Sequence, residues 1–194
     1  MKVIHLISGG DSGGAKTHVL SLLQHLNQQI HAQLVCFRDG PFAQEAREMG
    51  IPTMICGGNN VLRVRHQLAA YIREGGYEII HCHGSRANMI GALLRQTTGL
   101  PVVTTVHSDY RLDYMGRPLS HLVFGTINAW ALRRLDYRIG VSDAMVDLLI
   151  SRGFPPDRFY AIYNGIDFTP PPPQGDRLAY LRSLGADVEE DSVV

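Results

Sequence analysis

Short apolar, β-branched runs alternate with helical patterns along nearly the whole of this chain, and that alternation restricts its fold more than any single motif does. The strand-like runs are 2–7, 32–37, 53–55, 78–81, 102–106, 137–141 and 159–162. Helical patterns fall between them at 15–27, 41–49, 61–74, 86–97, 118–135 and 143–151. In the first of these Ala15, Val19, Leu22, Leu23 and Leu26 line one side at helical spacing. Gly50, Gly75 and Gly99 stand where helices should stop, and Pro52 and Pro101 where the next strands begin. Strands joined through helices must run parallel, so the expected fold is α/β: a Rossmann-like, doubly wound parallel sheet with helices on both faces. With 194 residues, 45% of them hydrophobic and 19% charged, the chain has material for one substantial core.

In such a sheet ligands sit at the carboxyl ends of the strands, so the polar residues that follow each strand are the candidates for a site. Here they are the glycine-rich loop 8–14, Asp39, the segment from His81 to Arg86, and the segment from His107 to Arg117. Glycines in the first loop, Gly13 and Gly14 among them, let a ligand approach the backbone where the N–H groups of a helix start point outward, a setting suited to phosphates or sugars. The same glycines also serve to tighten the strand-to-helix turn. Gly-x-Gly-x-x-Gly is absent in that register, yet Gly10, Gly13, Gly14 and Asp39 keep an NAD-binding oxidoreductase domain open as an alternative.

His81-Cys82-His83 places two imidazoles on one side of a strand, which raises metal binding. No Asp/His set at the later strand ends completes a ligand shell, so no metal is expected; His81 should pack in the sheet and His83 lie at the ligand edge. His107 directly follows a strand and precedes Ser108, Asp109, Tyr110 and Arg111, where it can donate a hydrogen bond to a reacting group or serve as a structural histidine. Cys36, Cys56 and Cys82 lack metal-type spacing and read as buried free thiols. Eighteen basic residues balance eighteen acidic ones, so no global field recruits nucleic acid. No secretory leader or membrane-spanning run is evident, and a cytoplasmic protein is expected.

The tail reads differently. Thr169 is followed by Pro170-Pro171-Pro172-Pro173, a stiff extended linker; a helical pattern over 176–184 and an acidic turn at Glu189-Glu190-Asp191 lead to Val193-Val194. The expected division is a Rossmann-like domain over 1–168, with 169–194 forming a linker and the start of a truncated second domain.

Five segments in order resemble one family. They are Gly13-Gly14-Ala15-Lys16-Thr17-His18-Val19, Ile79-Ile80-His81-Cys82-His83, Val103-Thr104-Thr105-Val106-His107, Val141-Ser142-Asp143-Ala144 and Tyr163-Asn164-Gly165-Ile166-Asp167. Together they are similar to the N-terminal, acceptor-side domain of retaining family 4 glycosyltransferases of the GT-B type. One departure is Lys16, where many members carry Glu. The resemblance implies two Rossmann-like domains facing across a cleft, the second of which, the nucleotide-sugar-binding half, is missing from this chain. It implies transfer of a sugar from a nucleotide-diphospho-sugar to a glycan, lipid-linked or small-molecule acceptor, with no metal or other cofactor. His107 would hydrogen-bond the transferred sugar, and Gly13 and Gly14 would lie near the donor phosphates. Lys16, His83, Arg86, Tyr110 and Arg111 are the candidate acceptor contacts, and the Tyr/Arg loop is the part that would meet a lipid-linked acceptor at a membrane periphery. The isolated domain is expected to fold without turning over. A stand-alone, non-catalytic acceptor-binding subunit is the second alternative.

Overall fold

A computed structural model describes residues 1–10, 14–109, 118–165 and 181–185, with the backbone alone at 118–124. The predicted Pro-rich linker, the acidic turn, Ile166, Asp167 and most of the 176–184 helical pattern lie outside the described residues.

The strands are β1 (Lys2–Ile7), β2 (His31–Cys36), β3 (Thr53–Ile55), β4 (Ile79–His83), β5 (Val102–Val106), β6 (Tyr137–Gly140) and β7 (Phe159–Ala161). They form one sheet in the order β3-β2-β1-β4-β5-β6-β7, and every neighbouring pair is parallel. The helices are α1 (Gly14–Leu26), α2 (Pro41–Glu48), α3 (Val61–Gly75), α4 (Ser85–Thr98), α5 (Pro118–Leu132) and α6 (Asp143–Ser151). This is the doubly wound α/β architecture that the alternation predicts. Strand order reverses between β1 and β4, which puts the crevice for a ligand beyond the ends of those two strands.

Two apolar layers cover the sheet. Val19, Leu20 and Leu23 of α1 and Phe42, Ala43 and Ala46 of α2 pack with Ile7, Leu34 and Cys36 on one face. Leu68 and Ile72 of α3, Ile90 and Leu94 of α4, Leu132 of α5 and Leu149 of α6 pack with Ile4, Leu6, Ile80, Cys82 and Val102 on the other. All three cysteines are buried free thiols.

Boundaries shift where side chains add a turn of structure that periodicity does not show. The third helix runs through Gly75, and its left-handed cap is Gly76 (φ 64°); a β-carbon on Gly75 would collide with the Tyr77 ring. β4 runs on to His83, and α4 starts at Ser85 directly after Gly84 (φ 86°), so strand and helix are joined by a single residue.

Buried polar groups in the second layer are matched to partners. Thr104 Oγ1 donates to Asn88 Oδ1 (2.6 Å), and Asn88 Nδ2 donates to Asn128 Oδ1 (3.0 Å), tying β5, α4 and α5. Arg138 is 2% exposed and donates to the carbonyls of Leu132 (2.7 Å) and Leu135 (3.0 Å), placing a cation at the carboxyl end of α5.

α4 comes closest to the sheet at Gly91, where a β-carbon would stand 2.4 Å from Cys82 Sγ and 3.1 Å from Val102 Cγ1. Gly91→Ala should therefore destabilise the domain by about 1–3 kcal/mol despite its better helix propensity. Urea unfolding reads the loss, and adding Cys82→Ala should recover part of it; an unchanged or higher midpoint in Gly91→Ala would show that the helix lifts away without cost.

Candidate active site

Parallel pairing of β1 with β4 sets His5 opposite His81 and Ile7 opposite His83, all on the α1 face of the sheet. β5 continues the row, with Thr105 opposite His83, and His107 follows just beyond the strand end. The three strand histidines are buried, with His5 at 0%, His83 at 2% and His81 at 9% exposure. His18 from α1 comes down over them, its ring 4.9 Å from that of His107 and 6.4 Å from that of His83.

Hydrogen bonds join these rings. His5 Nδ1 lies 3.2 Å from His83 Nε2, and His83 Nδ1 lies 3.5 Å from His107 Nε2. His81 Nε2 meets Thr105 Oγ1 at 2.8 Å. The rings of His5 and His83 are nearly parallel (11°), as are those of His81 and His83 (25°). Among the described residues His5, His81 and His83 have ring nitrogens within 4.8 Å of one another, the spacing a metal ion needs. Their arrangement suits an ion poorly: the rings stack side by side, His5 Nδ1 is engaged with His83 and His81 Nε2 with Thr105, and no carboxylate of the described residues joins them to offset two buried charges.

Burial keeps the cluster neutral. Loss of hydration pushes His5 down from its ordinary 6.5 to about 3 and His107 to about 4, and nearby His18 adds to both shifts. His81 and His83 fall well below 6.5 for the same first cause, with the neighbouring histidines contributing. His18 is lowered by burial too, against a hydrogen bond with the Asn164 side chain that raises it.

A cavity of about 310 Å³ opens beside the cluster at the sheet's carboxyl edge. Its wall includes Ser8 and Ala15 from the β1–α1 junction, His83, Ser85 and Arg86 from the β4–α4 junction, and Thr105, His107 and Asn128. Two helix starts, α1 and α4, thus border one space with a guanidinium, and none of its described lining residues is acidic. Oriented backbone N–H groups and a cation favour an oxygen-rich, anionic ligand there.

The structure brings together His107, His83 and Arg86, three of the residues singled out from sequence. The Arg86 guanidinium also reaches sideways, donating to the Gly58 carbonyl (2.7 Å) and lying over the Phe37 ring. Lys16 is not brought in: it forms an ion pair with Glu45 of α2 and does not line the cavity. Asp39, the alternative ribose acid, is held by Arg47 (3.3 Å) and by the Gly40 amide. Gly14 has open space where its β-carbon would be, whereas Gly9 (φ 85°) is needed for packing, since a β-carbon there would stand 2.5 Å from the Arg38 carbonyl. Gly13, Tyr110 and Arg111 lie outside the described residues.

Two residues of the cluster escaped the sequence reading as site candidates, His5 and His18. Parity would have found His5, because it shares the alternation of Ile7 in a strand next to His81-x-His83. Helical spacing would have found His18, one turn beyond Gly14. The two later motifs prove to be fastenings. Ser142 caps α6 by accepting from the Met145 N–H (3.2 Å), Tyr163 Oη donates to Asp143 (2.6 Å), and Asn164 reaches His18. Arg152, after α6, pairs with Asp109 and so pins the chain two residues past His107.

With this geometry in place, comparison with known proteins identifies the lineage. The model for Glycosyltransferase Family 4 matches residues 12–169. The chain belongs to glycosyltransferase family 4. A curated relative from Escherichia coli, UDP-Gal:alpha-D-GlcNAc-diphosphoundecaprenol alpha-1,3-galactosyltransferase, is 24% identical over 169 residues, covering 77% of this chain and 41% of the relative. Among solved structures, Anabaena HepE in complex with UDP-glucose superposes with a TM-score of 0.74 at 20% identity, covering 95% of this chain and 50% of that one. Acinetobacter baumannii MurG superposes with a TM-score of 0.60 at 15% identity, over 86% of this chain and 47% of its own. The family 4 domain described here therefore spans half or less of each of these relatives, and its fold is the N-terminal Rossmann-like half of the GT-B type.

The buried histidines make the domain's stability depend on pH. Above pH 6.5 both native and unfolded histidines are neutral and stability is complete. As pH falls below 6.5 the unfolded chain takes up protons that the native cluster refuses, down to the native values of about 4 for His107 and about 3 for His5. Each such histidine then costs about 1.4 kcal/mol per pH unit. Urea midpoints should fall steeply between pH 6.5 and 4, with a dependence exceeding that of one histidine; a flat profile over that window would mean the cluster is hydrated or already charged.

Proposed function

We propose that this family 4 domain is the acceptor-side half of a retaining glycosyltransferase that moves a sugar from a nucleoside diphosphate to a hydroxyl-bearing acceptor. The observation that carries the reading is that His107, at the tip of β5, shares one cavity with the starts of α1 and α4. Breaking a glycosyl–phosphate bond develops positive charge on the sugar and negative charge on the departing diphosphate. Helix N-termini are fixed dipoles aimed at the negative partner, and they need no reorganisation as the charge grows. His107, neutral at working pH, would hydrogen-bond the transferred sugar and take no part as a nucleophile. His83 and Arg86 line the same wall and would contact the acceptor; Tyr110 and Arg111 join that assignment from their place after a strand end alone, and Gly13 and Gly14 would lie near the donor phosphates. No metal is assigned to the reaction: in the one close histidine set of the described structure the rings stack, His5 bonds His83 and His81 bonds Thr105, with no carboxylate in the set.

The nucleotide-binding wall would come from a second α/β domain across the cleft, with residues 169–194 as the linker and the start of that domain. On this reading the domain by itself does not turn over, and the complete enzyme works in the cytoplasm at the periphery of a membrane when its acceptor is lipid-linked. The substrates of the Escherichia coli relative, a UDP-hexose and a sugar on a diphospho-polyprenol, are the first pair to try.

The test is a screen of the complete gene product against UDP- and GDP-sugars with diphospho-polyprenol-linked and free sugar acceptors, analysed by mass spectrometry. A transferred hexose with retained anomeric configuration is expected, and His107→Ala should lower turnover by on the order of 100-fold while the melting curve is kept. Unaltered turnover in His107→Ala would remove that residue from the mechanism. Tight NADH binding with no sugar transfer would replace the whole reading.

A further inference from the structure

We propose that the buried file His5–His83–His107 fixes the proton of His107 on Nδ1, so that the cavity meets a ring N–H donor and not a bare nitrogen. His5 and His83 are then positioning residues for His107.

The assignment follows from one orphan atom. His5 Nε2 is fully buried and has no hydrogen-bond partner among the described residues. A buried N–H left without an acceptor is the costlier of the two ways to leave that nitrogen unmatched, and orphaned donors are correspondingly rare. His5 therefore carries its proton on Nδ1, the nitrogen that faces His83 Nε2 at 3.2 Å. A neutral imidazole has one N–H and one lone pair. His83 accepts at Nε2, so its own proton sits on Nδ1, which faces His107 Nε2 at 3.5 Å. His107 accepts in turn, and its proton is on Nδ1. Neutrality of every ring is what makes the chain of assignments binding, and their burial provides it.

His81 does not interrupt the file. It faces Thr105 Oγ1, a hydroxyl that can donate or accept and so imposes no tautomer on its neighbours. His18 meets His107 edge to face, with ring centroids 4.9 Å apart at 65°, whereas the His107 nitrogen that faces the file, Nε2, lies against His83. The polarity is thus set from the core outward, from β1 through β4 to the tip of β5. A histidine held as an Nδ1–H donor pairs with an oxygen lone pair, such as a sugar hydroxyl or a phosphate oxygen. With Nε2 turned to His83, Nδ1 is the ring nitrogen left for a ligand in the cavity that His107 lines, and as an N–H it does not accept a proton. Which oxygen it meets rests on the function proposed above; the tautomer does not.

Long-range ¹H–¹⁵N correlation spectra of this chain at neutral pH, with no ligand added, read the tautomer of each ring directly, and His107→Gln assigns the His107 signals by their loss. The expected wild-type pattern is Nδ1 protonated and Nε2 bare at His5, His83 and His107 alike. His83→Phe removes the donor facing His107, and the His107 Nε2 signal should shift from the bare position toward the protonated one. His83→Asn, whose amide nitrogen stands where Nδ1 stood, should hold the wild-type signal. Circular dichroism melts confirm that both variants are folded, and the wild-type spectrum decides the question even if His83→Phe is not. A wild-type His107 protonated on Nε2, or a His107 tautomer indifferent to His83→Phe, overturns the proposal. None of these readouts involves sugar transfer, so failure here and failure of the proposed function are separate results.

Discussion

β1 and β4 meet at the reversal of strand order, and the register between them decides what the protein can do. With His5 against His81 and Ile7 against His83, the imidazoles of two strands share the face that α1 covers. A slip of one residue would turn one strand's histidines into the opposite layer, among Leu68, Ile72 and Ile90 and away from the rings they now bond. The register is held from below by apolar pairs such as Ile4 with Ile80 and Leu6 with Cys82, whose side chains fill that opposite layer. Core packing on one face thus specifies polar chemistry on the other.

Burying imidazoles is costly, and the cluster limits the cost by staying uncharged and bonding ring to ring. Its weakest member thermodynamically is the innermost ring, His5, where one nitrogen goes unmatched. Groups that a fold keeps in that condition usually do something for it. Around the cluster, long-range contacts secure the parts of the edge that secondary structure leaves loose. Arg152 fixes Asp109 behind His107, Asn164 holds His18, and Tyr163 is tied to the first residue of α6 through Asp143. The ion pair is largely buried, each side chain 14% exposed, so losing either partner would leave a charge stranded beside the site.

Most of the fold was legible because parallel sheets advertise themselves through alternation. β1, β3, β5 and α6 have the predicted ends, and the other helices differ from expectation by one to three residues at their termini. Gly75 misled because two glycines stand together, and only the Tyr77 ring and the φ of Gly76 show which one caps the helix. The site was legible one strand at a time: His83, Arg86 and His107 each follow from their position at a strand end. What periodicity could not supply was convergence. His5 reads as an ordinary strand residue and His18 as one polar position on an amphipathic helix until β1, β4 and α1 are set against one another. Lys16 went astray for the complementary reason, since its partner Glu45 belongs to a helix that periodicity places but does not orient.

The balance of charge at the edge explains why neutral histidines belong here. Two helix starts and Arg86 border the cavity, and its described lining holds no acidic residue, so the edge would favour an oxygen anion without help from imidazolium. On the function proposed above, a charged His107 would add to that attraction but would also repel the positive character that a departing diphosphate leaves on the sugar. Burial holds the ring neutral, and with the tautomer proposed above it would act there through the direction of its one N–H. The same burial makes the cluster a liability in acid, because the unfolded chain is always free to take the protons that the native sheet turns away. Cavity size sharpens the point: about 310 Å³ is at the low end of small-ligand sites, so a group held there contacts few residues, and each one's orientation matters correspondingly more.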